Sequence, residues 1–189
     1  MPSPVGHSLL GLAAGQLTGH RLPVVSWTWL AFVIVVANCP DLDFVPGIIA
    51  GDMNRYHHRV THSVGAAFTF GLAVWVIARW RSDHAGKWAQ SAVIIYGSHL
   101  LGDYLAVDYT APYGIPLWWP LSDAYVISPV TLFAPIDHGA LGEENTHVLT
   151  QIFSLQNAIS IAQEILFLMP LVLIIWHCDR RFAQWYARR

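Results

Sequence analysis

Five apolar segments separated by short polar stretches are the feature that most constrains this chain. They cover residues 5–19, 24–39, 64–80, 88–107 and 159–177. A helix needs about 20 mainly apolar residues to cross the hydrocarbon core of a bilayer, and four of the segments approach that length. Only 12% of the residues are charged, which is about half the share usual in soluble domains. The sequence therefore predicts an all-α integral membrane protein with about five hydrophobic helices in one bundle.

The chain is predicted to form a single membrane-embedded domain, residues 1–189, without internal repeats. This domain would consist of a site-bearing core at 5–125, a long loop at 108–158 between the fourth and fifth helices, and a C-terminal tail at 178–189. The first segment is short and rich in glycine and alanine, which allow close helix packing. The formal net charge of −2 and the lack of a basic patch give no indication of nucleic-acid binding.

Lysine and arginine are unevenly distributed, which predicts an orientation because cytoplasmic loops carry an excess of these residues. Neither type occurs between residues 88 and 179. We therefore expect the long loop and the N-terminus to lie outside and the C-terminus to lie in the cytoplasm. Eight basic residues fall on the predicted cytoplasmic side, namely Arg21, Arg79, Arg81, Lys87, Arg180, Arg181, Arg188 and Arg189.

Polar and ionisable residues collect at the other, outer end of the predicted bundle. Such residues are costly within membrane segments and are usually functional. They occur in four stretches: around His7 at the start of the first segment, in CPDLDF after the second, in HHRVTHS before the third, and in SHLLGDYL within the fourth. The topology therefore places all four stretches in one neighbourhood.

Two of these stretches have the spacing of metal ligands. His99 and Asp103 are four residues apart, as are His58 and His62, and this spacing puts two side chains on one face of a helix. Together with the Asp-x-Asp of CPDLDF they form a nitrogen and oxygen ligand set that suits zinc or another first-row divalent ion. A bridging carboxylate would favour two ions roughly 3.5–4 Å apart, as in many phosphoesterases.

These considerations define a set of candidate site residues. The guanidinium of Arg59 could hold a phosphate in fork geometry, and Thr61 could orient a ligand or the phosphate. We predict seven metal ligands, with His7 binding directly or supporting another ligand: His7, Asp41, Asp43, His58, His62, His99 and Asp103. The candidate catalytic residues are His57, Arg59 and Thr61.

The same residues are also compatible with structural roles. An Asp-x-Asp after a proline is commonly a turn or a helix cap. His99 and Asp103 could form a structural ion pair or a proton path. A non-catalytic membrane subunit or assembly protein with a structural metal site is therefore the alternative, whereas the lack of repeat symmetry argues against a secondary transporter.

Several motifs, in this order, resemble the YdjM-like family of membrane-bound metal-dependent hydrolases, described as LexA-regulated inner-membrane proteins. They are His7 with its small-residue helix, PDLD at 40–43, HRVTHS at 58–63, HLLGDYL at 99–105 and YGIPLWWPLS at 113–122. The resemblance covers roughly residues 5–125. It implies a helical protein with several spans and a divalent-metal hydrolase site built from the seven ligands above. A looser similarity to zinc-dependent phospholipase C favours a phosphoester substrate.

The long loop contains further candidate residues. Trp118 and Trp119 are expected at the membrane interface, either as part of an aromatic belt or as a lid on lipid headgroups. Five residues of PIDHGALGEENTH could bind a further metal ion, close the site or form a solvated acidic loop: Asp137, His138, Glu143, Glu144 and His147.

The sequence thus predicts an integral protein of a bacterial inner membrane with its site on the outer side. It would be a phosphoesterase-like hydrolase that acts on a membrane lipid or amphiphile through metal-activated water. Zinc is the favoured ion, manganese and iron are the alternatives, and one or two ions would be bound. Assembly into a homo-oligomer or a larger membrane complex is left open.

Overall fold

The computed structural model describes residues 1–18, 26–109, 112–139 and 145–187, and within these ranges it contains helices but no β-strand. Two isolated bridges, Ala106 with Phe133 and Ile115 with Val126, fasten the irregular segment after the fifth helix. The α-helices are α1 Pro4–Gln16, α2 Trp27–Asn38, α3 Phe44–Ile49, α4 Val64–Ala78, α5 Ala85–Tyr104, α6 Asn145–Ile152 and α7 Leu155–Ala187. Short 3₁₀ turns lie at Pro40–Asp43, Met53–Tyr56 and Val60–His62.

The prediction of five membrane spans is wrong, because most of these helices are too short or too polar. Among the described residues, only α7 is long and apolar enough to cross a bilayer, over Leu155–Cys178. Helix α2 and the stretch Pro40–Ile49 qualify only if they are taken together as one span bent by 53°. With 13 residues, α1 rises only about 20 Å against a hydrocarbon core of about 30 Å.

Side-chain caps fix where the helices begin. Ser3 precedes α1 and accepts a hydrogen bond from the backbone of Gly6 at 3.1 Å, and Pro4 occupies the first helical position, where a missing N–H costs nothing. Ser63 caps α4 by accepting from Ala66 at 3.1 Å. The first two N–H groups of α4, those of Val64 and Gly65, donate to the carbonyl oxygens of Leu117 and Trp119. The YGIPLWWPLS segment therefore packs over the start of α4.

Helix α1 lies in the middle of the bundle and contacts α2, α5 and α7. Its small residues allow this, as predicted, because a Cβ atom on Gly11 would lie 2.7 Å from the Cβ atom of Ala37 in α2. The core formed around this contact contains the fully buried side chains of Val33 and Ile95. The core therefore fixes the N-terminal end of α1 beside the C-terminal ends of α2 and α5.

The outer surface of α7 is apolar. Leu166, Phe167 and Ile174 are 69%, 71% and 60% exposed, and a soluble protein seldom leaves so large an apolar face in water. This surface agrees with a helix that contacts lipid. Helix α7 begins at Leu155 rather than 159 and continues to Ala187, so most of the predicted C-terminal tail is helical.

Parts of the predicted long loop pack closely against the bundle. Ile115 is fully buried in the core, and its N–H and carbonyl groups pair with those of Val126. Nearer α7, the side chain of Asn157 donates to the carbonyl oxygen of Asp137 at 2.8 Å and accepts from its N–H at 2.8 Å. The loop thus covers the same end of the bundle at which α1 begins.

Candidate metal centre

The four separate polar stretches meet at one end of the bundle. Helix α1 contributes His7, the turn after α2 contributes Asp41, and α5 contributes His99 and Asp103. The turn before α4 contributes His62. The Nε2 atom of His62 lies 3.3 Å from Asp41 Oδ1, 3.4 Å from Asp103 Oδ2 and 3.2 Å from Nε2 of His99. The structure thus brings these five predicted ligands into direct contact.

Asp103 on α5 contacts histidines of both α5 and α1. Its Oδ2 atom is 3.0 Å from Nε2 of His99, and its Oδ1 atom is 3.4 Å from Nε2 of His7. The rings of His7 and His99 stack with centroids 3.7 Å apart. His7, His62 and His99 are 0% exposed and Asp103 is 3% exposed, so protein rather than water surrounds their polar atoms.

A second part of the cluster is arranged around Asp43. Its Oδ1 atom lies 3.0 Å from Nδ1 of His57, and its Oδ2 atom lies 3.2 Å from Nδ1 of His62. The Thr61 hydroxyl donates to Oδ2 at 2.7 Å, and the Tyr96 hydroxyl donates to the Thr61 carbonyl oxygen at 2.6 Å. Tyr96 was not predicted as a site residue, because its hydroxyl reaches the site only through this backbone contact.

Several buried polar atoms in the cluster lack a hydrogen bond of good geometry to any described part of the chain. Because buried polar groups are nearly always hydrogen-bonded, such atoms call for a partner that the protein does not supply. The observed donor set is imidazole nitrogen and carboxylate oxygen, which suits zinc and related divalent ions. The atoms concerned are both ring nitrogens of His7, Oδ2 of Asp41, Nε2 of His58, and both carboxylate oxygens of Asp103.

The residues therefore fit a metal ion, and several sets of ligand atoms are close enough to share one. In each set the candidate atoms lie within 4.8 Å of one another. Asp41 belongs to two sets, so its carboxylate is placed to join neighbouring positions. The sets are His7 with Asp41 and His99, His62 with His99 and Asp103, Asp41 with Asp43 and His57, and His57 with His58 and His62.

The electrostatics of the turn residues show a local excess of negative charge. Burial alone would lower the pKa of His62, but hydrogen bonds with Asp41 and Asp43, together with the charge of Asp103, raise it to about 10. At His57 burial prevails and holds the pKa well below its usual range. The neighbourhood of His62 thus favours a cation, either a proton on its ring or a metal ion in its place.

The geometry of HHRVTHS differs from the prediction. His58 and His62 do not lie on one face of an α-helix, because the stretch forms a bend and a 3₁₀ turn and α4 begins only at Val64. His58 has a φ of 56°, which no α-helix accommodates. The two rings still approach within 4.9 Å, because tertiary packing brings them together.

The remaining predicted residues lie around the cluster. Arg59 is exposed at its edge, where it could meet a ligand from outside. Asp137 and His147 are exposed, and Glu143 and Glu144 lie outside the described residues. His138, in contrast, reaches the site: its ring lies 5.4 Å from that of His57, and its Nδ1 atom contacts Asn54 Oδ1 at 2.8 Å. Burial lowers the pKa of His138 to about 4.

Two further residues at the site were not predicted from the sequence. Asp108 lies 3.6 Å from Nδ1 of His58, and the sulfur atom of Met1 lies 3.0 Å from Nε2 of His57. Neither residue stands at a spacing that indicates a role. The nearness of Asp108 to the HLLGDYL stretch was the one signal available.

Comparison with known proteins supplies the family. The sequence model described as YdjM inner membrane protein matches residues 1–183. No curated protein and no solved structure matches the chain.

Proposed function

The chain belongs to the YdjM inner membrane protein family, and from that premise we propose that it is a membrane-embedded hydrolase dependent on one or two divalent metal ions. Its substrate would be a phosphoester of a lipid or amphiphile. One observation carries this proposal: buried imidazole and carboxylate atoms from four separate stretches converge, and several of them have no hydrogen bond within the described chain. Zinc suits this ligand set, with manganese and iron as alternatives.

A divalent ion held here would lower the pKa of a water molecule and polarise the oxygens of a phosphoester. Hydrolysis adds the oxygen of water to phosphorus and breaks the bond to the alcohol oxygen. One proton must therefore leave the water, and one must reach the departing alcohol. His57 is the candidate carrier, because it is a buried imidazole whose Nδ1 atom lies 3.0 Å from the carboxylate oxygen Oδ1 of Asp43.

Arg59 and Thr61 have different proposed roles. Arg59 is exposed beside the cluster, so its guanidinium would bind the phosphate of an arriving substrate. Thr61 would hold Asp43 in place through the hydrogen bond at 2.7 Å. Binding of substrate thus depends on Arg59, whereas the arrangement of the ligands depends on Thr61.

A cleft beside α7 supports an amphiphilic substrate. It has a volume of about 350 Å³ and lies between α7 and residues 132–134, with Phe133 and Phe167 among its apolar walls and Glu164 at one side. This volume lies within the usual range of ligand pockets, about 300–1,000 Å³. Because α7 is the candidate span, the cleft would open toward lipid and take an apolar chain of the substrate.

We also propose that the site faces outward, with the N-terminus outside and the C-terminus in the cytoplasm. The support is the distribution of lysine and arginine along the sequence, which leaves residues 88–179 without either. A substrate would then reach the site from the outer leaflet.

One observation favours a second function, a closed structural metal site in a non-catalytic membrane subunit. His7, His62 and His99 are all 0% exposed, and structural zinc sites are closed whereas catalytic sites keep an open position. Both functions require a bound metal ion, but only the hydrolase would turn over a substrate.

Turnover by protein in nanodiscs separates them. Release of phosphate from phosphatidic acid, and of nitrophenol from bis(p-nitrophenyl) phosphate, would be followed after loading with zinc or manganese. We expect activity in the wild type, loss in Asp103→Asn, and retention in Asp83→Asn, which alters an exposed aspartate between α4 and α5. Arg59→Ala should raise KM and leave the metal content unchanged. Metal-loaded wild type that hydrolyses neither substrate would support the structural site instead.

A further inference from the structure

His58 is held in an unusual and buried conformation. Its φ of 56° lies in the left-handed region, which residues with a side chain rarely adopt. The residue is only 8% exposed. Such a conformation persists only when the surroundings fix it, and these conformations concentrate at functional sites.

The two ring nitrogens of His58 have different surroundings. Nδ1 lies 3.6 Å from Oδ2 of Asp108. Nε2 is buried and has no hydrogen-bond partner among the described residues. The ring lies 4.1 Å from that of His57 and 4.9 Å from that of His62, and the ligand atoms of all three fall within 4.8 Å of one another. The unpartnered nitrogen therefore belongs to the candidate metal centre.

Asp108 is held in place by a tight turn. Its Oδ2 atom accepts a hydrogen bond from the N–H of Gly114 at 2.8 Å. Gly114 has a φ of 83°, and a Cβ atom at this position would collide with the carbonyl group of Val126. Ile115 and Val126 pair through two backbone hydrogen bonds beside this turn. The hydrogen bond from Gly114 thus holds the carboxylate of Asp108 against a rigid part of the loop, so that its side chain does not rotate freely.

We propose that Asp108 is a positioning residue that orients His58 for metal binding. Its carboxylate oxygen lies 3.6 Å from Nδ1 of His58, and this negative charge favours a proton on Nδ1 and leaves the lone pair of Nε2 for the metal. A carboxylate behind a metal-binding histidine both orients the ring and raises its basicity. The inference rests on the proposed function, because it presupposes that the cluster binds a divalent ion.

The test is zinc affinity, measured by competition with a chromogenic chelator on detergent-purified protein. Asp108→Asn is the informative variant, because an amide oxygen still accepts from Gly114 but carries no charge. We expect Asp108→Asn and His58→Ala each to weaken zinc binding by about tenfold or more. The double variant should bind no more weakly than His58→Ala alone, because the two residues act as one unit. Asp123→Asn, an exposed aspartate of the same loop, is the matched control and should bind as the wild type does.

Four results would overturn the inference. Wild-type affinity in Asp108→Asn together with weakened binding in His58→Ala would show that Asp108 stabilises the turn but does not orient His58. Wild-type affinity in His58→Ala would exclude His58 from the site. A wild type that binds no zinc would contradict the proposed metal site itself. This result differs from the first two, in which the wild type binds zinc. Nitrogen-15 shifts of His58 in the zinc-loaded wild type need no variant to fold, and they should show a protonated Nδ1; an unprotonated Nδ1 would contradict the inference.

Discussion

His99 directs its Nε2 atom at Asp103 because its Nδ1 atom donates a hydrogen bond to the carbonyl oxygen of Ala37 at 2.8 Å. A carbonyl oxygen can only accept, so a proton must lie on Nδ1, and Nε2 is left to face the cluster. Nε2 then lies 3.0 Å from Oδ2 of Asp103, one helical turn further along α5. The Ala37 carbonyl oxygen at the end of α2 thus orients the ring of His99 on α5. Metal-binding histidines commonly donate their other ring N–H to such an acceptor.

Thr61→Val replaces the hydroxyl by a methyl group with little change of volume and removes one of the donors to Asp43, at 2.7 Å. We expect zinc affinity to fall by about tenfold, the lower end of the effect of losing such a supporting contact. Chelator competition measures this loss. Thr69→Val is the control, because that exposed hydroxyl bonds to the Gly65 carbonyl oxygen of its own helix. Equal zinc affinity in the two variants would show that Thr61 does not support the site.

Gly11→Ala should destabilise the bundle, because the added Cβ atom would lie 2.7 Å from the Cβ atom of Ala37. Overpacking of this kind costs roughly 1–3 kcal/mol. Gly97→Ala is the matched control, because a Cβ atom there meets nothing within 4 Å and alanine suits a helix better than glycine. Thermal unfolding in detergent should give a lower Tm for Gly11→Ala and an equal or higher Tm for Gly97→Ala. An unchanged Tm in Gly11→Ala would contradict the packing of α1 on α2.

Glu164→Ala should also destabilise the protein. The carboxylate accepts from the backbone N–H of Ser3 at 2.8 Å and from the Ser3 hydroxyl, and Ser3 is almost fully buried. Leaving this buried N–H without a partner costs about 1–3 kcal/mol. Glu164→Gln keeps an acceptor and should lose less stability than Glu164→Ala. Gln163→Ala, at an exposed position, should lose little stability. If denaturant unfolding shows the same loss of stability in Glu164→Ala and Gln163→Ala, Glu164 does not hold α1 against α7.

The convergence of His7, Asp41, His62, His99 and Asp103 could be predicted from the sequence. Each stretch adjoins a predicted helix end, and alternation of helix direction is enough to place those ends together. The number of spans could not be predicted in this way, because apolar segments in a membrane protein also pack against one another. The 13-residue α1 is covered by α2, α5 and α7 and does not need to cross the bilayer.

The finer geometry of the site depends on contacts that are distant in sequence. Asp108 lies beside His58 because its turn closes on Gly114. His138 pairs with Asn54 and lies beside His57. The left-handed conformation of His58 likewise depends on its surroundings rather than on its neighbours in the chain. The spacing of His58 and His62 suggested a shared helix face, whereas the packing of loops brings the two rings together.

Metal analysis of detergent-purified protein tests the central claim most directly. Wild type, His62→Ala and Asp103→Ala would be compared with His84→Ala and Asp83→Ala, which alter exposed residues of the same types between α4 and α5. We predict stoichiometric zinc, manganese or iron in the wild type and in both controls, and its loss in both site variants. A folded wild type that retains no divalent metal even after resupply, or site variants that retain it fully, would contradict the assignment of this cluster as a metal centre.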